Sequence, residues 1–273
     1  MPVITKITVQ QKLKDRYNIF IDDGNGEKYG FSVDEDVLIK YQLKKGMELD
    51  DFTVTEIFYQ DDIRKAYSQA VQYLASRMRS EAEVRQYLYK KEVAEPVINE
   101  VVHKLYQYKF LDDQEFAIAF VRTQMNTTDK GVVVIQQELK EKGIAAPTIE
   151  TAILEYSYEQ QFDKACELVR KYIQKYKHES LRASKQKMEQ LLIRKGYPFE
   201  IIHEAIDSVE IEEDIDQEMD TLKNQAEKLQ SKYRKYEGFE FRQKMKQALY
   251  RKGFPLELID QYLTKLADEM AEK

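Results

Sequence analysis

The side chains of this sequence best suited to chemistry are cations gathered at recurring points. Arg77, Arg79, Arg85, Lys90 and Lys91 crowd one stretch, and Arg122, Lys130, Lys140 and Lys142 surround the next. The doublets Arg194-Lys195 and Arg251-Lys252 return further on. Clusters of this kind bind phosphate backbones or acidic protein surfaces. Groups for covalent or metal chemistry are scarce. His103, His178 and His203 have no ligand spacing among themselves or with Cys166, the single cysteine, so neither zinc nor iron is expected. No nucleophile elbow, metalloprotease helix or dinucleotide fingerprint occurs. Asp112-Asp113 and Glu212-Glu213-Asp214 read as caps and solvated helix starts. A binding protein is expected, not an enzyme, with no cofactor and no metal.

The cations sit at the punctuation of a helical unit written four times. Leu88-Tyr-Lys-Lys-Glu-Val93, Leu139-Lys-Glu-Lys-Gly-Ile144, Leu192-Ile-Arg-Lys-Gly-Tyr197 and Leu249-Tyr-Arg-Lys-Gly-Phe254 align on Glu92, Gly143, Gly196 and Gly253, spaced 51, 53 and 57 residues apart. Apolar columns fall eight residues before the anchor (Val84, Ile135, Met188, Met245), six after it (Ile98, Ile149, Ile202, Ile259) and ten after it (Val102, Ile153, Ile206, Leu263). Columns at minus eight and minus four share one helical face, as do those at plus six and plus ten. Glycine at the anchor permits the left-handed residue that ends a helix, and the basic residues before it suit the carbonyl end of the dipole. Pro198 and Pro255 stop the first helix from running on. Each unit therefore reads as helix, tight turn, helix, with a third helix upstream. Glu92 breaks the rule, so a looser or differently capped turn is expected there. Repeats of this period stack into elongated, curved arrays that bind extended partners.

A different rhythm marks the first sixty residues. Ile4–Val9, Arg16–Ile21 and Lys28–Val33 are rich in β-branched and aromatic residues, and Asp22-Asp-Gly-Asn-Gly-Glu27 is a hairpin turn by composition. Asp34 is expected to cap a short helix over Val37, Leu38 and Tyr41 that ends near Gly46. The chain thus divides into a small β-containing domain (1–62) and helical repeats at 63–110, 111–156, 157–209 and 210–273. The class is mainly α.

Composition narrows the partners. The net charge of −6 argues against a protein that coats DNA, but the sum hides a segmentation. Residues 63–110 carry nine basic and five acidic side chains, whereas residues 1–62 carry eight and thirteen. Local excess governs attraction to a polyanion within the ~8–10 Å that salt permits. The nineteen tyrosines include residues that could stack on bases, although most fall beside apolar columns and read as packing. A lone cysteine excludes an internal disulfide and fits a reducing compartment. No apolar run approaches the ~20 residues of a membrane helix, and the N-terminus lacks a signal pattern. A cytoplasmic monomer is expected.

The first two repeats carry the most specific sequence. Ser80 and Glu83 form a capping box that opens a helix, which places Arg77 and Arg79 in a joint and Arg85 on the next helix. Leu74…Arg77-Met-Arg-Ser-Glu81, Val84…Leu88…Lys91, Leu111-Asp-Asp113, Phe116-Ala…Phe120-Val-Arg122, Lys130-Gly131 and Glu138-Leu-Lys-Glu-Lys-Gly-Ile144 together resemble the RecX family of recombination regulators. The similarity is close over residues 63–156 and fainter in the later copies. Two departures are Glu92 in place of glycine and Val132-Val133-Val134 in place of a more polar stretch, which argues against a phosphate grip by that loop. The resemblance implies tandem three-helix repeats and a non-enzymatic regulator. It would bind the RecA recombinase and its filament on single-stranded DNA and modulate it, by inhibition or destabilisation. Two other readings are a direct single-stranded DNA-binding protein and a generic helical-repeat scaffold.

Overall fold

The computed structural model describes residues 1–176, 178–209 and 215–271; Glu212-Glu213-Asp214 lie outside the described residues. The chain starts with an antiparallel sheet in the order β1 (Val3–Val9), β2 (Arg16–Asp22), β3 (Glu27–Asp34). Its hairpin turn is built by Asp22, whose carboxylate accepts the Gly24 and Gly26 amides. Asp34 caps helix α1 (Glu35–Lys40) through the Asp36 amide. The helix does not reach Gly46. Gln42 takes the left-handed conformation at φ 50° and ends it. Gly46 instead turns the chain back onto β1, donating to the Ile4 carbonyl at 2.8 Å.

Helix α2 (Asp51–Leu74) runs unbroken past residue 62 and into the first repeat. One buried ion pair ties it to the sheet. Asp61 accepts both Arg16 Nη atoms, at 3.2 and 2.9 Å, and the Asp34 amide at 2.9 Å, with Lys65 Nζ 2.8 Å away. The Asp61 side chain is only 3% exposed. Burial alone would raise its pKa. The hydrogen bonds from Arg16, Lys65 and the Asp34 amide outweigh it and hold the carboxyl below the ordinary range.

Four helical triplets follow: α2, α3 (Glu81–Tyr89) and α4 (Glu95–Gln107); α5 (Asp113–Thr127), α6 (Val132–Glu141) and α7 (Ala146–Ile153); α8 (Tyr158–Tyr176), α9 (Leu181–Lys195) and α10 (Phe199–Ser208); α11 (Ile215–Tyr233), α12 (Gly238–Arg251) and α13 (Leu256–Ala271). The chain divides into two compact units, Met1–Ala119 with Leu139–Ala152, and Phe120–Glu138 with Ile153–Lys273. In the first unit, the α2–α3–α4 core gathers Val84, Leu88, Ile98 and Val102. In the second, the α8–α9–α10 core gathers Met188, Leu192, Ile202 and Ile206, and the α11–α12–α13 core gathers Met245, Leu249, Ile259 and Leu263. These are the columns of the sequence repeat.

All four turns are one motif. The amide of the residue after each anchor donates to the carbonyl five residues back: Val93 to Leu88, Ile144 to Leu139, Tyr197 to Leu192, Phe254 to Leu249. Each anchor amide donates to the carbonyl three residues back. That pair of bonds is the Schellman motif, which brings the leucine and the following apolar residue together. Gly143, Gly196 and Gly253 have φ of 77°, 84° and 92°, and Glu92 has φ 60°. The first turn is therefore built like the others, and the expectation of a looser one is corrected.

The glycines have a second reason to be glycine, which Glu92 does not share. Within the first unit, the N-terminus of α3 meets the turn after α6. Ser80 Oγ accepts the Glu83 amide at 3.2 Å and donates to the Lys142 carbonyl at 2.7 Å. Asp113 of the next repeat accepts the Glu81 amide at 2.8 Å. Within the second unit the arrangement recurs at α9. There Ser180 Oγ donates to the Lys252 carbonyl at 2.6 Å, and Glu218 accepts the Leu181 amide at 3.2 Å. Between α6 and α9, the Gly131 and Val133 amides donate directly to the Lys195 and Gly196 carbonyls at 2.7 and 3.0 Å. In each joint the donors that a helix start leaves unpaired meet the acceptors that a helix end leaves unpaired. The contact is so close that a Cβ on Gly143 would land on Ala82, and one on Gly196 would lie 2.6 Å from the Val134 backbone nitrogen. Glu92 is exposed, and a side chain fits there.

Three stability outcomes follow from these contacts, all measurable by urea denaturation. Gly196→Val forces both an unfavourable φ and a backbone clash, and should cost at least ~1 kcal/mol; Leu192→Ala should cost about 2–5 kcal/mol. Glu92→Gly should change stability by less than about 1 kcal/mol, because only backbone strain and chain entropy are exchanged. For Asp61, a folded pKa below the unfolded value means stability that is present above the ordinary Asp range and lost as pH falls through the folded value. Asp61→Asn should cost about 3 kcal/mol at pH 7, since it leaves Arg16 buried without its partner. It should also flatten the acid dependence of unfolding from the ordinary Asp range down through the lowered folded value.

Candidate functional site

The thirteen cations singled out by sequence separate into two groups once their partners are known. One group is spent on partners within a repeat or across a joint. Arg77 pairs with Glu83 at 2.9 Å, and Arg85 with Glu81 at 2.6 Å and Asn99 at 2.7 Å. Lys142 lies 3.6 Å from Glu83 across the first joint. Burial pushes Glu83 up, but the Arg77 hydrogen bond, the Ser80 amide and the Lys142 charge outweigh it and keep its carboxyl below the usual range. Arg122 pairs with Glu155 at 2.7 Å; Lys130 reaches Gln124 at 2.9 Å and Glu138 at 2.5 Å. Lys195 pairs with Asp129 at 3.2 Å, and Lys252 donates to Gln225 at 3.0 Å. The lysine before each glycine thus serves its joint. The Gly131 and Val133 amides, just after Lys130, are also spent on the next repeat.

The second group makes no ion pair among the described residues. Lys90, Lys140, Arg194 and Arg251 are exposed, and Arg251 holds only its own helix, through the Gln247 carbonyl at 3.4 Å. Arg79 and Lys91, twelve residues apart in sequence, are brought to one aromatic stack. The Arg79 guanidinium lies 3.7 Å over the Tyr73 ring, and its Nε and Nη2 donate to the Tyr73 carbonyl and Ser76 Oγ, both at 3.0 Å. Tyr73 stacks on Tyr87 with centroids 4.0 Å apart and planes 3° from parallel. Lys91 Nζ lies 5.8 Å from the Tyr87 ring. Lys90 is the next residue, on the exposed turn. Cations held over aromatic faces keep their charge without needing a carboxylate. This end of the first repeat, with Arg79, Lys90 and Lys91, is a cationic edge able to meet phosphate or acidic side chains. Sequence reasoning missed Tyr73 and Tyr87, because they sit on different helices and no period links them.

Among the described residues no group of three His, Cys, Asp or Glu is placed to hold a metal. His103, His178 and His203 are exposed, and Cys166 is buried, with Sγ 3.4 Å from Ser208 Oγ. No helix among the described residues is long and apolar enough to cross a membrane.

A small sheet leading into tandem three-helix repeats defines a class of helical-repeat proteins. Comparison with known proteins gives the family. Residues 2–50 match the RecX N-terminal domain, residues 66–105 the first RecX three-helix domain and residues 112–153 the second. The third three-helix domain matches twice, at residues 159–206 and 216–263, so the fourth repeat is a second copy of the third. Regulatory protein RecX of Bacillus subtilis is 47% identical over 263 residues, 96% of this chain and 98% of its own. That of Bacillus cytotoxicus is 43% identical over 269 residues, covering 98% and 100%. A crystal structure of regulatory protein RecX superimposes with a TM-score of 0.68 at 34% identity, covering 76% of this chain and all of that one. RecX from Lactobacillus salivarius does so with a TM-score of 0.54 at 35% identity, over 56% and 99%. The chain belongs to the RecX family of regulatory proteins.

Proposed function

We propose that this protein regulates homologous recombination in the bacterial cytoplasm by binding the RecA recombinase and its filament on single-stranded DNA, and that it lowers the filament's activity. The observation that carries this reading is the match of RecX domains along the chain, from the sheet to the fourth repeat. The geometry supplies a means. Lys142 and Lys195 are committed to acids across the joints. Arg79, Lys90 and Lys91, with Lys140, Arg194 and Arg251 as further candidates, remain available for an acidic partner. A protein–DNA filament offers both acidic side chains and phosphates, and it repeats its own surface. Net charge −6 favours such a composite partner over bare duplex DNA, which would repel most of the chain.

Two measurements test this. RecA-dependent ATP hydrolysis or strand exchange should slow at concentrations of this protein below that of RecA, because one array touching several protomers acts at few sites. A filament indifferent to a stoichiometric excess rules the reading out. Replacing Arg79, Lys90 and Lys91 by Gln should weaken binding to filaments and reduce the slope of log affinity against log salt by about 0.7 for each lost single-strand phosphate contact. An unchanged slope in the folded triple variant would return these residues to an ordinary solvated helix end.

A further inference from the structure

A second aromatic group in the first repeat has no role in the joints or the core. Helix α4 ends at Tyr108, and the next residue, Lys109, takes φ 59°, a conformation that side chains other than glycine rarely adopt. Phe110 follows. Tyr108 is 61% exposed and Phe110 50% exposed. Both rings meet Tyr67 of α2 edge-on, with centroid separations of 6.2 and 6.4 Å. These contacts fix the rings and still leave half or more of each side chain in water. Large aromatic side chains in that state mark a surface prepared for a flat partner.

The charges around them identify the partner. Lys109 lies between the two rings in sequence, and Lys104 lies one turn of α4 before Tyr108. Neither forms an ion pair among the described residues. Glu100, one turn before Lys104 on α4, makes no ion pair with it, and the acids at the end of the repeat are occupied. Glu81 takes Arg85 and the Tyr106 hydroxyl, Asp112 caps α5 through the Gln114 and Glu115 amides, and Asp113 caps α3. Residues 63–110 keep an excess of four positive charges. Open rings flanked by unpaired lysines are what single-stranded nucleic acid requires: each base has a π-face to stack, and the backbone between bases needs cations. A purely apolar protein patch would leave the lysines unanswered, and an acidic peptide would leave the rings unanswered.

We propose that Tyr108 and Phe110 form a stacking platform for the bases of single-stranded DNA, with Lys104 and Lys109 contacting its phosphates. The proposal rests on the filament reading above, for which it names the contact with the strand. The chain has no tryptophan, so Tyr108→Trp introduces a single indole fluorophore at the platform. Titration with an oligothymidine should quench its emission saturably, while heparin, a polyanion without bases, should not. Tyr108→Ala/Phe110→Ala should bind the labelled oligonucleotide about tenfold more weakly or worse, with an unchanged salt slope and a wild-type circular dichroism spectrum. Wild-type affinity in the double variant overturns the platform. So does unquenched indole emission from a Tyr108→Trp protein that binds the strand, or quenching by heparin equal to that by DNA, or failure of the wild-type chain to bind the oligonucleotide at low salt. RecA-dependent ATP hydrolysis, measured with the same proteins, separates the two claims. Inhibition by the wild-type chain with no quenching sinks the platform and spares the regulator. Quenching with an indifferent RecA does the reverse.

Discussion

The contact on which the repeats depend is a helix start docked on a helix end. Four amides at the start of an α-helix and four carbonyls at its end have no partner within it. Here the start of the second helix in one repeat is satisfied by the end of the second helix in the next. In the first unit Ser80 bonds the Lys142 carbonyl, and in the second Ser180 bonds the Lys252 carbonyl. Both serines are almost fully buried, so these bonds are shielded from water, where a lost partner costs most. The joint at Gly131 reaches the same end with no side chain at all. Its own amide makes the bond, because the backbones approach too closely for a Cβ.

That requirement explains which residues vary and which cations are free. Glycine recurs at the anchor wherever a helix start lands on the turn. Glu92, on an exposed turn, accepts the same left-handed φ with a side chain. The lysine before each glycine lies beside the acids or amides of the joint, as Lys142 does with Glu83 and Lys195 with Asp129. Positive charge there is structural. In the first repeat, Lys91 occupies the same column with no joint to serve, and it turns to Tyr87 instead. The cationic edge of Arg79, Lys90 and Lys91 therefore sits on the repeat whose turn is left open.

The N-terminal sheet is joined to this system by a different device. Arg16 on β2 and Asp61 on α2 are 45 residues apart and make a buried bidentate pair, completed by the Asp34 amide. Because α2 is also the first helix of the first repeat, the sheet and the cationic edge share one rigid element. The pair requires both partners, since a buried charge left alone is far costlier than the pair is favourable.

Much of the architecture was legible along the chain. The spacing of leucine, glycine and the apolar columns encodes each helix and its Schellman turn, because those depend on residues within five positions of one another. The hairpin at Asp22–Glu27 and the box at Ser80–Glu83 are local for the same reason. The early end of α1 at Gln42 was not legible, because a non-glycine residue in the left-handed conformation has no compositional mark. Nor was the fate of the cations. Whether Lys142 is spent on Glu83, or Arg79 is held over Tyr73, depends on how helices cross and which side chains they bring within 4 Å. The sequence by itself determined the repeats, their turns and the positions of positive charge. Only the tertiary structure decided which charges hold the repeats together and which face a partner, since pairing depends on distances in space that no sequence period contains.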